Sequence, residues 1–277
     1  MKNSLVIIDI NNFIYRAYYG IQQPLHAPDG TPVNAVLGVF NMLHKLFGRL
    51  KPTHVVVTKD SKQSLRKERY PEYKQNRQKM PEDLAKQISL IYEMLTLMKI
   101  PLLEVSGYEA DDLIGALVKK HKDSFYQIYI ASTDKDLMQL VGDNVFCIDT
   151  MKDKIYNSTF VEEKYGIAPS QIVDFLALLG DSSDNIPGVK GIGEKTAIKL
   201  LKEHTSLDGI YKNIHTLNEG KLKTNLTNEE EIARLSYELA LLKDIEVEHE
   251  LPVYLRNHQD LVPFFTRLNM KSLLNKI

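Results

Sequence analysis

The sequence predicts an α/β fold, a parallel sheet flanked by helices and followed by a helical region. Three observations carry this. The short apolar runs SLVIIDI (4–10), THVVVTKD (53–60) and YQIYIASTDKD (126–136) read as strands buried on both faces, as in parallel sheets. Helical periodicities separate them, so strand and helix alternate with right-handed crossovers. From about residue 160 the pattern turns helical throughout.

In chain order, SLVIIDI is the first strand, interrupted by Asp9. NAVLGVFNMLHKLFGRL (34–50) is a helix with Val36, Phe40, Leu43, Phe47 and Leu50 on one side. THVVVTKD is the second strand and ends at Asp60. PEDLAKQISLIYEMLTLM (81–98) is a helix, with proline early and acids in its first turn. IPLLEVSGY (100–108) is a shorter third strand, with Glu109 next and a helix from about Ala110 to Lys120. The fourth strand runs into Asp134 and Asp136, and VFCIDT (145–150) is the fifth. Beyond it come helices at APSQIVDFLALLG (168–180), EKTAIKLLKEH (194–204), NEEEIARLSYELALL (228–242) and LVPFFTRLNMKSLLNKI (261–277). The expected division is an α/β core over 1–165, with a basic arch segment over about 60–85, and a helical region over 166–277 packed on it.

The totals exclude several classes. The 277 residues suffice for a substantial core, and 43% apolar and 26% charged residues are ordinary for a globular protein. No apolar run approaches the ~20 residues that span a bilayer, and the first residues read as a strand, not a signal peptide. One cysteine, Cys147, excludes an internal disulfide framework and a cysteine-based zinc cage. A cytoplasmic location is expected, which leaves the sequons at Asn157 and Asn225 without meaning. Net charge is only −1, but its distribution is uneven. Between Lys59 and Lys79 stand Lys59, Lys62, Arg66, Lys67, Arg69, Lys74, Arg77 and Lys79 against only Asp60, Glu68 and Glu72.

Acids gather elsewhere in short knots. In parallel α/β sheets ligands bind outside the carboxyl ends of the strands. Asp9, Asp60, Glu109 and Asp134 each follow a strand, so independent strand ends deliver carboxylates to one rim. EADD adds Asp111 and Asp112, TDKD adds Asp136, and GDSSD adds Asp181 and Asp184. Each knot alone reads as a helix cap or a turn. Capping explains one acid per helix, not two or three. Nine carboxylates on one rim need either protons or hard divalent cations, and two Mg²⁺ ions, or Mn²⁺ in their place, suit the oxygen donors.

In YEADDLIG, STDKDLMQLV and FLALLGDSSDNIPGVKGIGEKTA, in that order, the chain resembles the 5′-nuclease family. That family includes bacterial and phage flap endonucleases and the N-terminal domain of bacterial DNA polymerase I. The resemblance covers nearly the whole chain. It implies a PIN-like core with a helix-hairpin-helix region, and hydrolysis of DNA phosphodiester bonds as a 5′-3′ exonuclease and flap endonuclease. It implies one metal position served by Asp9, Asp60, Glu109 and Asp111, and a second by Asp134, Asp136, Asp181 and Asp184, with Asp112 between or beside them. The substrates implied are DNA with 5′ flaps, nicks or single-stranded 5′ ends; a monomer is expected. There are two departures. Asp9 is followed by Ile10 and Asn11 where a glycine is frequent, and Lys59 precedes Asp60 where an aromatic residue is common. Strand alternation should turn Lys59 away from the Asp60 side.

The basic stretch RKERYPEYKQNRQK (66–79) interleaves cations with Tyr70 and Tyr73, a pattern suited to single-stranded nucleic acid and equally to a solvated loop. The resemblance matches Arg66, Tyr73, Lys74 and Arg77 to a DNA-binding pattern and places Lys74 and Arg77 on the scissile phosphate. It adds Arg16 near the N-terminus, with Tyr18 also matching. GVKGIGEKTA sets Gly188, Gly191 and Gly193 before a helix, where free N–H groups with Lys190 and Lys195 would hold duplex phosphates without reading bases. The resemblance further implies K⁺ held by carbonyls of this loop. Three other readings stay open: a module that binds branched DNA without cutting, an RNA-directed nuclease, and a small-molecule phosphatase. The last would want an acid at position 11, which is asparagine.

Overall fold

The computed structural model describes residues 2–256 and 258–277. Its sheet has six strands: β1 (Ser4–Asp9), β2 (His54–Thr58), β3 (Leu102–Leu103), β4 (Gln127–Ala131), β5 (Val145–Asp149) and β6 (Lys154–Tyr156). Their order is β3-β2-β1-β4-β5-β6. All pairings are parallel except β5 with β6, which runs antiparallel at one edge. The chain winds outward from β1 in one direction, then returns and winds outward in the other. The order therefore reverses between β1 and β4, where a crevice opens outside the strand ends.

Among the described residues thirteen α-helices accompany the sheet: α1 (Ile10–Gly20), α2 (Asn34–Leu50), α3 (Leu65–Arg69), α4 (Glu82–Leu97), α5 (Ala110–His121), α6 (Ser158–Tyr165), α7 (Ile172–Leu179), α8 (Glu194–His204), α9 (Leu207–Lys212), α10 (Lys221–Asn228), α11 (Glu230–Ala240), α12 (Leu261–Arg267) and α13 (Lys271–Leu274). Strand alternation sorts the core into two layers. Val6, Ile8, Val55 and Val57 face α1, α2, α4 and α12. Leu5, Ile7, Val56, Ile128 and Ile130 face α5, α7 and α11. The C-terminal helices return to the first layer, where Phe265 of α12 meets Phe40 of α2 edge-on at 4.9 Å.

Three expected elements differ. The third strand pairs over only two residues, because the chain turns at Gly107 (φ 87°) and Tyr108 bonds back to Val105. The helix expected over 261–277 is broken into α12 and α13 by Asn269 in a left-handed conformation (φ 54°). The helix expected from residue 168 begins as a 3₁₀ turn at Pro169–Gln171 before α7. Among the described residues no helix is long and apolar enough to cross a membrane.

Candidate metal centre and nucleic-acid interface

The crevice at the β1/β4 reversal is a cavity of about 990 Å³. Asp9, Asp60, Asp111 and Asp134 line it, with Lys74 and Arg77. Asp9 is the last residue of β1 and also caps α1, accepting the Asn12 N–H at 3.1 Å and the Ser132 hydroxyl at 3.0 Å. Asp60 leaves the end of β2 and accepts from Asn11 Nδ2 at 2.6 Å and the Ala110 N–H at 2.8 Å. Asp134 accepts the Asp136 N–H at 3.0 Å. Behind it Asp136, Asp181 and Asp184 bring one oxygen each within 4.8 Å of the others, all buried.

Repulsion and burial act on this row together. Burial first, then Asp60 and Asp134, push the Asp9 carboxyl up to about 7. Burial, then Asp134 and Asp9, hold Asp111 well above the carboxylate range. Asp136 is raised by burial and by Asp134, Asp184 and Asp181, and Asp134 is raised chiefly by burial. Asp134 thus links the acids of the cavity to the buried trio. Burial also works to raise Asp181, but the Ser183 hydroxyl and amide and Lys135 outweigh it and keep this acid low. The row suits hard cations on one further observation: Asp136 Oδ1 is fully buried and has no hydrogen-bond partner, a costly state for an oxygen unless an ion or proton reaches it.

The protein's own cations partly balance the acids. Lys74 Nζ lies 2.8 Å from Glu109 Oε2 and 3.5 Å from Asp184 Oδ2. Burial would lower the Lys74 ammonium, but Tyr73, Glu109 and Asp184 hold it well above its ordinary value. Arg77 meets Asp184 Oδ1 at 2.5 Å, and Lys135 meets Asp181 at 3.0 Å. The turn that aims these groups puts Lys74 in the left-handed region (φ 55°), at a cost of about 1 kcal/mol, and its N–H bonds the Asp184 carbonyl.

Several expected roles change on these contacts. Arg66 is not on a nucleic-acid surface. Its side chain is 5% exposed and grips Asp112 through both oxygens at 2.7 Å, with further bonds to the Leu239 and Leu241 carbonyls. Asp112 in turn is fully buried and accepts the N–H groups of Glu109 and Lys243, so its oxygens face Arg66 and backbone, away from the cavity. Tyr73 is buried too, with its hydroxyl donating to Glu109 at 3.1 Å or Asp184 at 3.3 Å, so its ring offers no stacking platform. Arg16 lines the cavity but is paired with Asp149 at 2.7 Å. Lys59 is not turned away from Asp60. β2 ends at Thr58, so alternation no longer governs, and Lys59 lines the same cavity.

The glycine loop joins α7 to α8. Gly188 (φ 63°) packs against Gly180, where a Cβ would fall 2.4 Å from the Gly180 nitrogen. Its N–H bonds the buried Ser236 hydroxyl at 3.0 Å, so it is not available to a phosphate. Gly191, Gly193, Lys190 and Lys195 are exposed, with Gly193 capping α8. The Lys190 N–H is held by Glu229, and its carbonyl accepts from Asn225.

Sequence reasoning missed Asn11, Ser132 and Lys135 as groups that hold acids in place. The available signal was a polar residue beside each acid at a strand end.

The chain matches known proteins in sequence and in fold. The family model for the 5′-3′ exonuclease N-terminal resolvase-like domain matches residues 4–166, and that for the 5′-3′ exonuclease C-terminal SAM fold matches residues 167–260. A 5′-3′ exonuclease of Aquifex aeolicus is 38% identical over 279 residues, covering 99% of this chain and 95% of that protein. DNA polymerase I of Bacillus caldotenax is 39% identical over 287 residues, covering 100% of this chain, which spans only 32% of the polymerase. Among solved structures, T5 5′-exonuclease with bound zinc superposes with a TM-score of 0.75 at 24% identity, covering 86% of this chain and 89% of the other. The catalytic core of Rad2 in complex with DNA substrate gives 0.66 at 18% identity, covering 100% and 93%. At these identities the structures speak for the fold. The chain belongs to the 5′-3′ exonuclease family of nucleases.

Proposed function

We propose that the chain hydrolyses DNA phosphodiester bonds at 5′ ends and 5′ flaps, with two Mg²⁺ or Mn²⁺ ions held by the acidic row. The observation that carries this is the continuous line of carboxylates from Asp60 through Asp9, Asp111 and Asp134 to Asp136, Asp181 and Asp184, at the one reversal of the sheet. Bound ions there would neutralise the phosphate and make a water acidic enough to attack it. Asn11 and Ser132 orient Asp60 and Asp9. Lys74 and Arg77 stand at the cavity wall where a phosphate would exchange for their carboxylate partners, Arg77 as a planar fork and Lys74 as a point charge. Glu109, held by Lys74 and Tyr73, sets that lysine. The N-terminus of α8 with Gly191, Gly193, Lys190 and Lys195 holds duplex phosphates, and K⁺ occupies loop carbonyls nearby. We further propose a monomer acting in the cytoplasm.

The test is cleavage of a labelled 5′-flap DNA by the pure chain in Mg²⁺ or Mn²⁺, mapped against nicked, single-stranded and RNA-flap substrates. Cleavage near the flap junction that stops on chelation is expected. Asp111→Ala and Asp134→Ala should each lower turnover about 100-fold or more while DNA affinity persists. Binding of flap DNA without cleavage across all metals would contradict the proposal.

A further inference from the structure

Two members of the buried trio Asp136, Asp181 and Asp184 carry cations of the protein's own. Arg77 and Lys74 meet Asp184, at 2.5 and 3.5 Å. Lys135 meets Asp181 Oδ1 at 3.0 Å. Asp136 Oδ1 is the oxygen left without a hydrogen-bond partner. Carboxylates whose oxygens lie within 4.8 Å of one another stay ionised only beside positive charge, so each of these cations bears on the whole trio. They differ in where they can go. Lys74 and Arg77 line the cavity, where a substrate phosphate would draw them off. Lys135 comes from the loop between β4 and the 3₁₀ turn Asp136–Leu140, and it is not among the residues that line the cavity. Its side chain is 36% exposed against 6% for Asp181, so the ammonium reaches the acid from solvent and can return there. Asp181 keeps other anchors. The same Oδ1 accepts the Ser183 N–H at 2.9 Å and the Ser183 hydroxyl at 2.7 Å.

We propose that Lys135 is an exchangeable counterion of the trio. It sits on Asp181 until a divalent ion takes the position, then leaves for solvent, and its departure sets how tightly that ion is held. Lys135 thereby joins the two-ion reading above, on which this role rests, as a positioning residue. The chemistry of the two cations favours exchange over a fixed bridge. An ammonium and a divalent ion a few ångströms apart repel each other, so they compete for the same oxygens. The ammonium is a strongly hydrated point charge on a flexible stem and returns to water readily, whereas a divalent ion brings twice its charge to hard oxygen donors. The two roles predict opposite signs. Removal of a lysine that only braces the loop weakens both the metal-free fold and ion binding. Removal of one that competes weakens the metal-free fold and tightens ion binding.

The experiment titrates Mn²⁺ into the DNA-free wild-type chain, Lys135→Met and Lys135→Arg at pH 8, reading free ion by electron paramagnetic resonance and metal-free stability by urea unfolding. Lys135→Met keeps the stem without the charge. It should hold the weaker of the two ions about 5-fold more tightly, leave the tighter ion unchanged and unfold at lower urea. Lys135→Arg should bind like wild type. A footprint of the wild-type chain by reductive dimethylation and mass spectrometry reads the departure itself: Lys135 should label faster once Mg²⁺ is added, while Lys119 labels at the same rate. Weaker or unchanged binding of the second ion by Lys135→Met, or a Lys135 footprint indifferent to Mg²⁺, would overturn the exchange while leaving the two-ion reading intact. A wild-type chain that binds no Mn²⁺ would instead remove the reading on which it rests.

Discussion

Replacing Arg66 by methionine separates an internal ion pair from a DNA contact. The guanidinium makes two bonds to Asp112 at 2.7 Å and two to main-chain carbonyls at 2.9 and 3.0 Å, all in a site where arginine is 5% exposed and Asp112 not at all. Removing one partner of such a pair costs roughly 3–5 kcal/mol, because the other charge stays buried. For a chain of this length about 2 °C of melting temperature is lost per kcal/mol, so Arg66→Met should melt about 6–10 °C lower. Asp112→Leu added to it removes the stranded charge and should recover part of the loss. The assay is thermal unfolding of the single and double variants beside a flap-binding isotherm at 10 °C, where all remain folded. If Arg66→Met melts like wild type but binds DNA several-fold more weakly, the internal assignment is wrong and the residue faces nucleic acid.

Other outcomes follow from the same geometry. Asp9 has a folded value of about 7 against an ordinary 3.8, so without metal its contribution is present below pH 4 and lost as pH rises through 7. The metal-free chain should therefore lose about 4 kcal/mol over that window, and Mn²⁺ should stabilise it far more at pH 8 than at pH 5, as read by urea unfolding. Gly188→Ala meets backbone at 2.4 Å in a left-handed position and should cost at least about 3 kcal/mol, measured by the same unfolding. Lys195→Ala should leave the melting temperature unchanged and lower the log–log salt slope of duplex binding by about 1. Asp184→Asn removes the charge that pairs with Arg77, so trypsin should cut after Arg77 faster than in wild type; unchanged protection would show that the basic stretch is held by other contacts, Lys74 with Glu109 among them.

Much of this molecule is written in local patterns. The helix over 34–50 and that over 194–204 match their sequence bounds, because apolar period and the flanking turns agree there. Asp9, Asp60 and Asp134 are legible since each stands at or just past the end of a strand and strands are easy to see, whereas Asp181 and Asp184 follow α7. Helix α1 is harder: its start is capped by Asp9, which also serves the cavity, so one residue carries two signals. Arg66, Tyr73 and Gly188 mislead for one reason. Composition says that a residue is charged, aromatic or small, but not which way it points. Arg66 turns inward because Asp112, 46 positions later, is presented by α5, and Gly188 is fixed by Ser236, 48 positions later. Lys59 shows the same limit at short range, since alternation fails one residue past the strand.

The most direct test of the central claim is a Mn²⁺ titration of the DNA-free chain followed by electron paramagnetic resonance. Loss of free-ion signal equivalent to about two ions per chain is expected, reversed by excess Mg²⁺ and reduced by Asp111→Asn and by Asp136→Asn. A free-ion signal that tracks added Mn²⁺ one for one, with the folded wild-type chain at pH 8, would contradict the account.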